Sequence, residues 1–272
     1  MERPVRSAYP LVRPRSRRLD CLGIPVDCVD SSQILDFMAE VIARGHQAVI
    51  LNVNVNLANL AARQPWLKAY FQQGHLVFCD GDGIRWGLRI LGFRPPPKVT
   101  YNELLWDIAR WSSERGFSLY FLGARPGVAE RAADKLRACH PHLRVLGTHH
   151  GYFEKEGREN DAVVAEINRL RPDVLLVCFG MPAQERWVRD NSPRLAVHAL
   201  MTGGAALDYG AGVARTTPRW IKHLQLEWLF RFSLEPARLF SRYIIGNPLF
   251  IGRVLAERFR RAWSPQGRSL DR

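Results

Sequence analysis

Short apolar runs of strand length recur along the chain, each followed by a segment whose apolar positions return at helical spacing. The runs at 48–53, 75–79, 117–122, 143–147, 173–179 and 196–201 read as strands. The segments at 57–73, 83–91, 102–114, 127–139, 160–170 and 182–190 read as helices. This alternation predicts an α/β fold, a Rossmann-like parallel sheet flanked by helices. Helix starts carry their own marks: Thr100 with Glu103 fits a capping box. Pro126 and Pro182 suit first-turn positions, where a missing N–H has no helical partner to lose.

Beyond about residue 214 the strand pattern stops. Pro218, Pro236 and Pro248 punctuate three helical segments rich in Trp, Phe, Leu and Arg, which reads as a C-terminal helical appendage over 215–272. Residues 1–20 are arginine-rich and broken by proline, and read as a basic mobile tail. The α/β unit is then 21–214.

Composition changes this picture in one respect. A chain of 272 residues, 47% hydrophobic and 24% charged, has the make-up of a folded protein. Its net charge of +13 is unevenly spread. Residues 1–20 hold six basic and two acidic side chains (+4), 21–214 hold 21 and 20 (+1), and 215–272 hold twelve and four (+8). The sheet unit is thus not built to read nucleic acid, and the ends await an anionic partner, a phospholipid surface or a nucleic-acid backbone. No window approaches the ~18 apolar residues of a membrane-spanning helix. The basic start has no apolar core of a secretory signal, which favours a cytoplasmic protein. The five cysteines, Cys21, Cys28, Cys79, Cys139 and Cys178, are widely spaced and suit reduced packing residues. Cys139, His140, His142, His149 and His150 lack a metal-ligand spacing, so no metal or other cofactor is expected.

In an open parallel sheet, ligands bind beyond the carboxyl ends of the strands. Asn52, Asn54 and Asn56 place amides two residues apart where a strand ends, suited to sugar or base hydroxyls or else to a helix cap. Asp80 follows the next strand in Cys79-Asp80-Gly81-Asp82-Gly83, as a general base or as a turn aspartate. Gly123-Ala124-Arg125-Pro126-Gly127 leads from strand to helix, where exposed N–H groups and Arg125 favour a diphosphate, although a plain βα turn has the same look. Gln184 and Glu185 open the helix after Phe179-Gly180, Gln184 as a neutral holder of a hydroxyl or phosphate oxygen and Glu185 as complement to the helix N-terminus. Gly203 and Gly204 allow close backbone approach, and Asp208 is a candidate acceptor for a sugar hydroxyl; a loop of packed small residues is the alternative.

Taken in order, Asp80-Gly81-x-Gly83, Phe121-Leu122-Gly123-x-x-Pro126-Gly127, Gly151-Tyr152-Phe153, Gly180-x-Pro182-x-Gln184-Glu185, Gly203-Gly204-x-x-x-Asp208-x-x-Ala211-Gly212 and Leu226-Glu227-Trp228-Leu229-x-Arg231 through Glu235-Pro236-x-Arg238 and Arg242-Tyr243 resemble the WecG/TagA/CpsF family of bacterial glycosyltransferases. The resemblance runs from about residue 21 to residue 258. It implies an inverting, metal-independent enzyme that moves a sugar from a UDP-sugar to an undecaprenyl-diphosphate-linked sugar in cell-surface polysaccharide assembly. It further implies Asp80 as catalytic base, Gln184 as a substrate-positioning residue, and a C-terminal appendage whose arginines, here Arg231, Arg238 and Arg242, reach the active site while it holds the enzyme on the membrane.

Two positions depart from the family pattern. Asn52 stands where a hydroxyl is usual near the base, and Lys98 keeps the charge of a usual arginine but not its planar fork. The donor sugar is thereby left among an N-acetylmannosamine type, its uronic acid and glucose, and a homo-oligomer stays open. In physical terms, in-line displacement at the anomeric carbon needs a base for the acceptor hydroxyl and help for the leaving diphosphate. Asp80 meets the first need; the helix start at 123–128, Lys98 and the tail arginines meet the second. Asp80-Gly81-Asp82 also has the spacing of a metal-binding pair, which keeps a metal-dependent variant open. The appendage, with Trp220, Leu224, Trp228 and Phe232 among Arg219, Lys222 and Arg231, suits the inner face of an anionic membrane, or a stripe packed on the core with solvated arginines outside. A non-catalytic nucleotide- or nucleic-acid-binding α/β protein is the competing reading, and another nucleotide-using enzyme on the same fold a third.

Overall fold

The computed structural model describes residues 13–215, 217, 221 and 227–263, apart from the side chains of Glu227, Arg231 and Arg238. Six strands form one parallel sheet: β3 (Ala48–Val53), β4 (Leu76–Cys79), β5 (Ser118–Gly123), β6 (Arg144–His149), β7 (Val174–Cys178) and β8 (Ala199–Thr202), in the order β4-β3-β8-β7-β5-β6. Each lies within three residues of its expected run. Five of the six, all but β6, are buried along their whole length, as in a parallel sheet covered on both faces.

Alternate residues feed two cores. Ala48, Ile50, Leu176 and Met201 pack under α1 (Ser31–Ala43), α5 (Tyr101–Arg115), α6 (Val128–Cys139) and α9 (Ala206–Gly210). Val49, Leu51, Val177 and Leu200 pack under α2 (Val55–Ala61), α3 (Pro65–Gln73), α4 (Asp82–Ile90), α7 (Gly157–Leu170) and α8 (Ala183–Asn191). The apparent single helix 57–73 is two helices, because Pro65 lacks an N–H and starts α3 at its first turn. Helix α1, which the apolar pattern passed over, begins with a full capping box between Asp30 and Gln33.

The N-terminal expectation needs correction. Arg18–Cys21 is a strand, β1, paired antiparallel with β2 (Ile24–Asp27) around Leu22-Gly23, so the ordered hairpin begins inside the segment read as a mobile tail. Arg18 grips Asp27 with two 2.7 Å bonds, and Asp27 accepts a third 2.7 Å bond from the Val77 N–H, which fastens the hairpin to β4. Leu19, Cys21, Ile24 and Val26 join the second core beneath it.

Two helix starts differ in detail. Thr100 is the N-cap of α5, but its buried hydroxyl makes no capping bond. Pro182 is the N-cap of α8 rather than a first-turn residue, and Pro126 precedes Gly127, the N-cap of α6. All five cysteines are free thiols, with Cys21, Cys79 and Cys178 buried.

After β8 and α9 the described chain resumes as α10 (Glu227–Leu234), α11 (Pro236–Phe240), a π-helical turn (Ser241–Ile245) and α12 (Gly246–Trp263). Pro236 starts a helix as expected; Pro248 does not break one, because it sits in the first turn of α12, where N–H groups have no intrahelical partner. Pro218, Trp220 and Leu224, with Arg219 and Lys222, lie outside the described residues. Helix α12 is docked on the α/β unit: Phe250 and Val254 are buried, Asn59 Nδ2 of α2 donates to the Gly246 carbonyl at 2.7 Å, and Arg253 donates to Asn59 Oδ1 at 2.9 Å. No helix of the described residues is long and apolar enough to cross a membrane.

Candidate active site

The carboxyl ends of β4, β3 and β8 are joined by a side-chain relay. Asp80 continues β4, its N–H on the Val53 carbonyl at 2.9 Å and its backbone bridged to Val99. The Asn52 amide, buried near the end of β3, donates to Asp80 Oδ2 at 3.1 Å, and the Thr202 hydroxyl at the end of β8 donates to Asn52 Oδ1 at 3.4 Å. Residues 28 and 150 positions apart are thus brought together by strand register alone. Asn52 is thus hydrogen-bonded on one side to Asp80 and on the other to Thr202. Asn54 is the N-cap of α2, accepting the Leu57 N–H at 3.0 Å, and Asn56 is helical, so the three amides do not share a face. The helix-capping alternative is the one realised for Asn54.

Lys98 and Asp82 are also accounted for. Lys98 Nζ lies 2.8 Å from Asp82 Oδ2, and Arg85 lies 2.9 Å from Asp82 Oδ1. Both oxygens of Asp82 thus lie against cations, and Lys98 is one of its ion-pair partners. Among the described residues no three His, Cys, Asp or Glu side chains gather as a metal-ligand set.

The turn after β5 has two parts. Gly123 is buried against β7, where a Cβ would stand 2.4 Å from the Cys178 carbonyl oxygen; it is glycine for close strand packing. Arg125, Pro126 and Gly127 are exposed, and α6 begins with no side-chain cap, the Val128 N–H lying on the Arg125 carbonyl at 3.0 Å. The loop after β6 folds onto this turn through the Gly151 N–H to the Ala124 carbonyl at 2.8 Å. Lys155 there lies 3.6 Å over Phe153 and 4.5 Å over Phe179, and donates to the Gly151 and Phe153 carbonyls; burial lowers its pKa. Lys155 and Thr202 escaped the sequence reading. Thr202 directly precedes the Gly203-Gly204 pair, and that position at a strand terminus was the available signal.

Gln184 and Glu185 are fully buried. Gln184 Oε1 accepts the Gly180 N–H at 3.2 Å and the Gly204 N–H at 3.0 Å, while its Nε2 donates to Glu185 Oε1 at 2.8 Å. Burial raises the Glu185 pKa to about 7. The hydrogen-bond partners of both side chains lie inside the protein, because α8 begins over the gap between the turns that follow β7 and β8. Gly204 has a left-handed backbone with open space where a side chain would be. Asp208 lies half-buried on α9, its carbonyl accepting the Val213 and Ala214 N–H groups. Arg242 lies in the π-helical turn with its guanidinium 5.7 Å over the Tyr243 ring. The side chains of Arg231 and Arg238 lie outside the described residues.

Residues 19–264 of the chain match the family described as "Glycosyl transferase WecG/TagA/CpsF family". The chain belongs to the WecG/TagA/CpsF glycosyltransferase family. It is therefore a glycosyltransferase, as its motif order implied. The family match begins inside β1 and ends just past α12, so both the hairpin and the docked helix belong to the family unit. Among similar proteins are the N-acetylglucosaminyldiphosphoundecaprenol N-acetyl-beta-D-mannosaminyltransferases of Staphylococcus aureus strains MRSA252 and NCTC 8325 / PS 47. Each is 23% identical over 229 residues, covering 84% of this chain and 89% of the relative.

Proposed function

We propose that this glycosyltransferase moves an N-acetylmannosamine-type sugar from UDP to an undecaprenyl-diphosphate-linked sugar, with inversion and with Asp80 as the base. The observation that carries this is the relay Thr202–Asn52–Asp80, which holds one carboxylate at the strand rim in a fixed orientation. A base so held takes the acceptor hydroxyl proton as that oxygen attacks the anomeric carbon opposite the leaving diphosphate. The start of α6, which has no side-chain cap and has Arg125 and Gly127 exposed beside it, supplies dipole and charge for the leaving group. Gly204 and Asp208 lie on the β8 side of the same rim, suited to the nucleoside sugar. The names of the S. aureus relatives favour the N-acetylmannosaminyl donor over its uronic acid or glucose, and an N-acetylglucosaminyl-diphospholipid as acceptor.

The enzyme works at the anionic inner face of the membrane. Helix α12 has two apolar faces: Phe250 and Val254 are turned inward, while Leu255, Phe259 and Trp263, spaced four apart, are 41%, 65% and 88% exposed. A docked helix that keeps a second apolar stripe outward, in a segment of net charge +8, suits a lipid interface. The test is the intact protein with a polyprenyl-diphosphate-linked N-acetylglucosamine in anionic vesicles and a panel of UDP-sugars. UDP release with UDP-N-acetylmannosamine supports the reading; release with UDP-glucose alone reassigns the donor, and none with any donor in protein that binds UDP overturns it.

A further inference from the structure

We infer that Glu185 is the positioning residue that fixes Gln184 as a clamp across the turns following β7 and β8. This rests on the transferase reading for its kinetic consequence, though not for its geometry. A glutamine amide has nearly the same shape in either orientation, but its two ends have opposite chemistry. Here both backbone donors, Gly180 N and Gly204 N, face the carbonyl end. Reversal would set an NH2 group against two N–H groups. What selects the working orientation is the acceptor at the other end, Glu185 Oε1, 2.8 Å from Nε2.

The clamp has something to hold. Gly180 and Gly204 have φ of +84° and +57°, and no atom stands within 4 Å of where a Cβ would be at either. Glycine turns of this kind are the most mobile backbone in the rim unless tied. Both follow the central strands β7 and β8, and β8 carries Thr202 of the Thr202–Asn52–Asp80 relay. The placement of Glu185 is costly otherwise: the carboxyl is buried and its second oxygen, Oε2, has no partner. Tyr70 of α3 and Tyr101 of α5 are the titratable groups within electrostatic reach. A carboxyl protonated on Oε2 still offers Oε1 as an acceptor, so the clamp needs an oxygen at this position and not a charge.

The experiment compares the full-length protein with Glu185→Gln, which keeps an acceptor oxygen, and Glu185→Leu, which keeps bulk only. Amide hydrogen exchange is followed in the peptides containing Gly180 and Gly204, and kcat and KM are measured with the active donor across pH. Glu185→Leu should speed exchange at both turns about tenfold or more and lower kcat by a similar factor, with the acceptor KM changed less than about threefold. Glu185→Gln should restore both, with a pH profile that overlays the wild type. If Glu185→Leu does not fold, Glu185→Met takes its place in the same measurements. The inference fails if the Gln variant behaves like the apolar one, or if the apolar variant exchanges and turns over like the wild type. If the wild type transfers no sugar, the exchange measurement still decides the clamp, and the transferase reading alone falls.

Discussion

The α/β unit and the C-terminal helices solve opposite problems with the same kinds of residue. In 21–214 the charges nearly cancel, at +1, and the apolar side chains are folded into two cores on either side of the sheet. In 215–272 the charge is +8, and large apolar side chains such as Phe240, Ile245, Phe259 and Trp263 are more than half exposed. Yet the appendage is not simply an outward-facing patch. Arg258 binds the Ile90 carbonyl, Arg261 pairs with Asp20 at 2.9 Å and lies over Phe93, and Arg260 pairs with Glu257. Part of the basic excess thus attaches α12 to the sheet unit, and net charge alone overstates what is left for lipid or phosphate. One helix carries a buried and an exposed apolar stripe because residues four apart share a face and residues one apart do not.

Four perturbations would break or sharpen this contrast. If chemistry belongs to the sheet unit, Asp80→Asn lowers kcat by about 10²–10⁴-fold while UDP affinity stays within about threefold, by calorimetry. Equal loss of both would make Asp80 structural. Next, Phe250→Ala empties the inward face of α12 and should cost about 3–5 kcal/mol in denaturant unfolding of the whole chain. A loss confined to about 0.5 kcal/mol would mean that α12 is not docked in solution.

The third concerns Glu185, a carboxyl that the sheet unit buries while the appendage leaves its charges at the surface. Its folded pKa of about 7 lies above the ordinary 4.5, so the folded state holds the proton longer. Stability should fall as pH rises from about 5 to 7, by roughly 3 kcal/mol at most, and Glu185→Gln should remove that slope and be the more stable protein at pH 8. A parallel pH dependence in the two proteins would contradict the burial. Last, replacing Leu255, Phe259 and Trp263 together by Ser should lower partitioning onto anionic vesicles about tenfold, with the unfolding midpoint unchanged. Unaltered sedimentation with vesicles would remove the outward stripe from the membrane surface.

Much of the fold was legible because a parallel sheet buried on both faces needs continuous apolar runs, and six such runs stand out. The hairpin Arg18–Cys21 with Ile24–Asp27 was not, since its inward residues alternate with charged ones, Arg18, Asp20 and Asp27, some of whose partners, such as Val77 and Arg261, lie far along the chain. Of the candidate site, Asp80 was legible as a carboxylate at a strand end. The hydrogen-bond partners of Asn52, Gln184 and Glu185 were not: a polar residue near a strand end looks the same in sequence whatever neighbour the fold brings to it. Lys98 was read by its charge, but its partner Asp82, sixteen residues earlier, is set by the fold.

The sequence by itself determined the alternation of strands and helices, the place of the chemistry at the strand ends, the family and the uneven charge, because these are properties of local periodicity and residue type. Tertiary structure decided which polar side chains pair with one another at the strand ends. Thr202, Asn52 and Asp80 form one relay, and Gln184 spans two turns, only because parallel register brings the ends of distant strands within hydrogen-bonding distance.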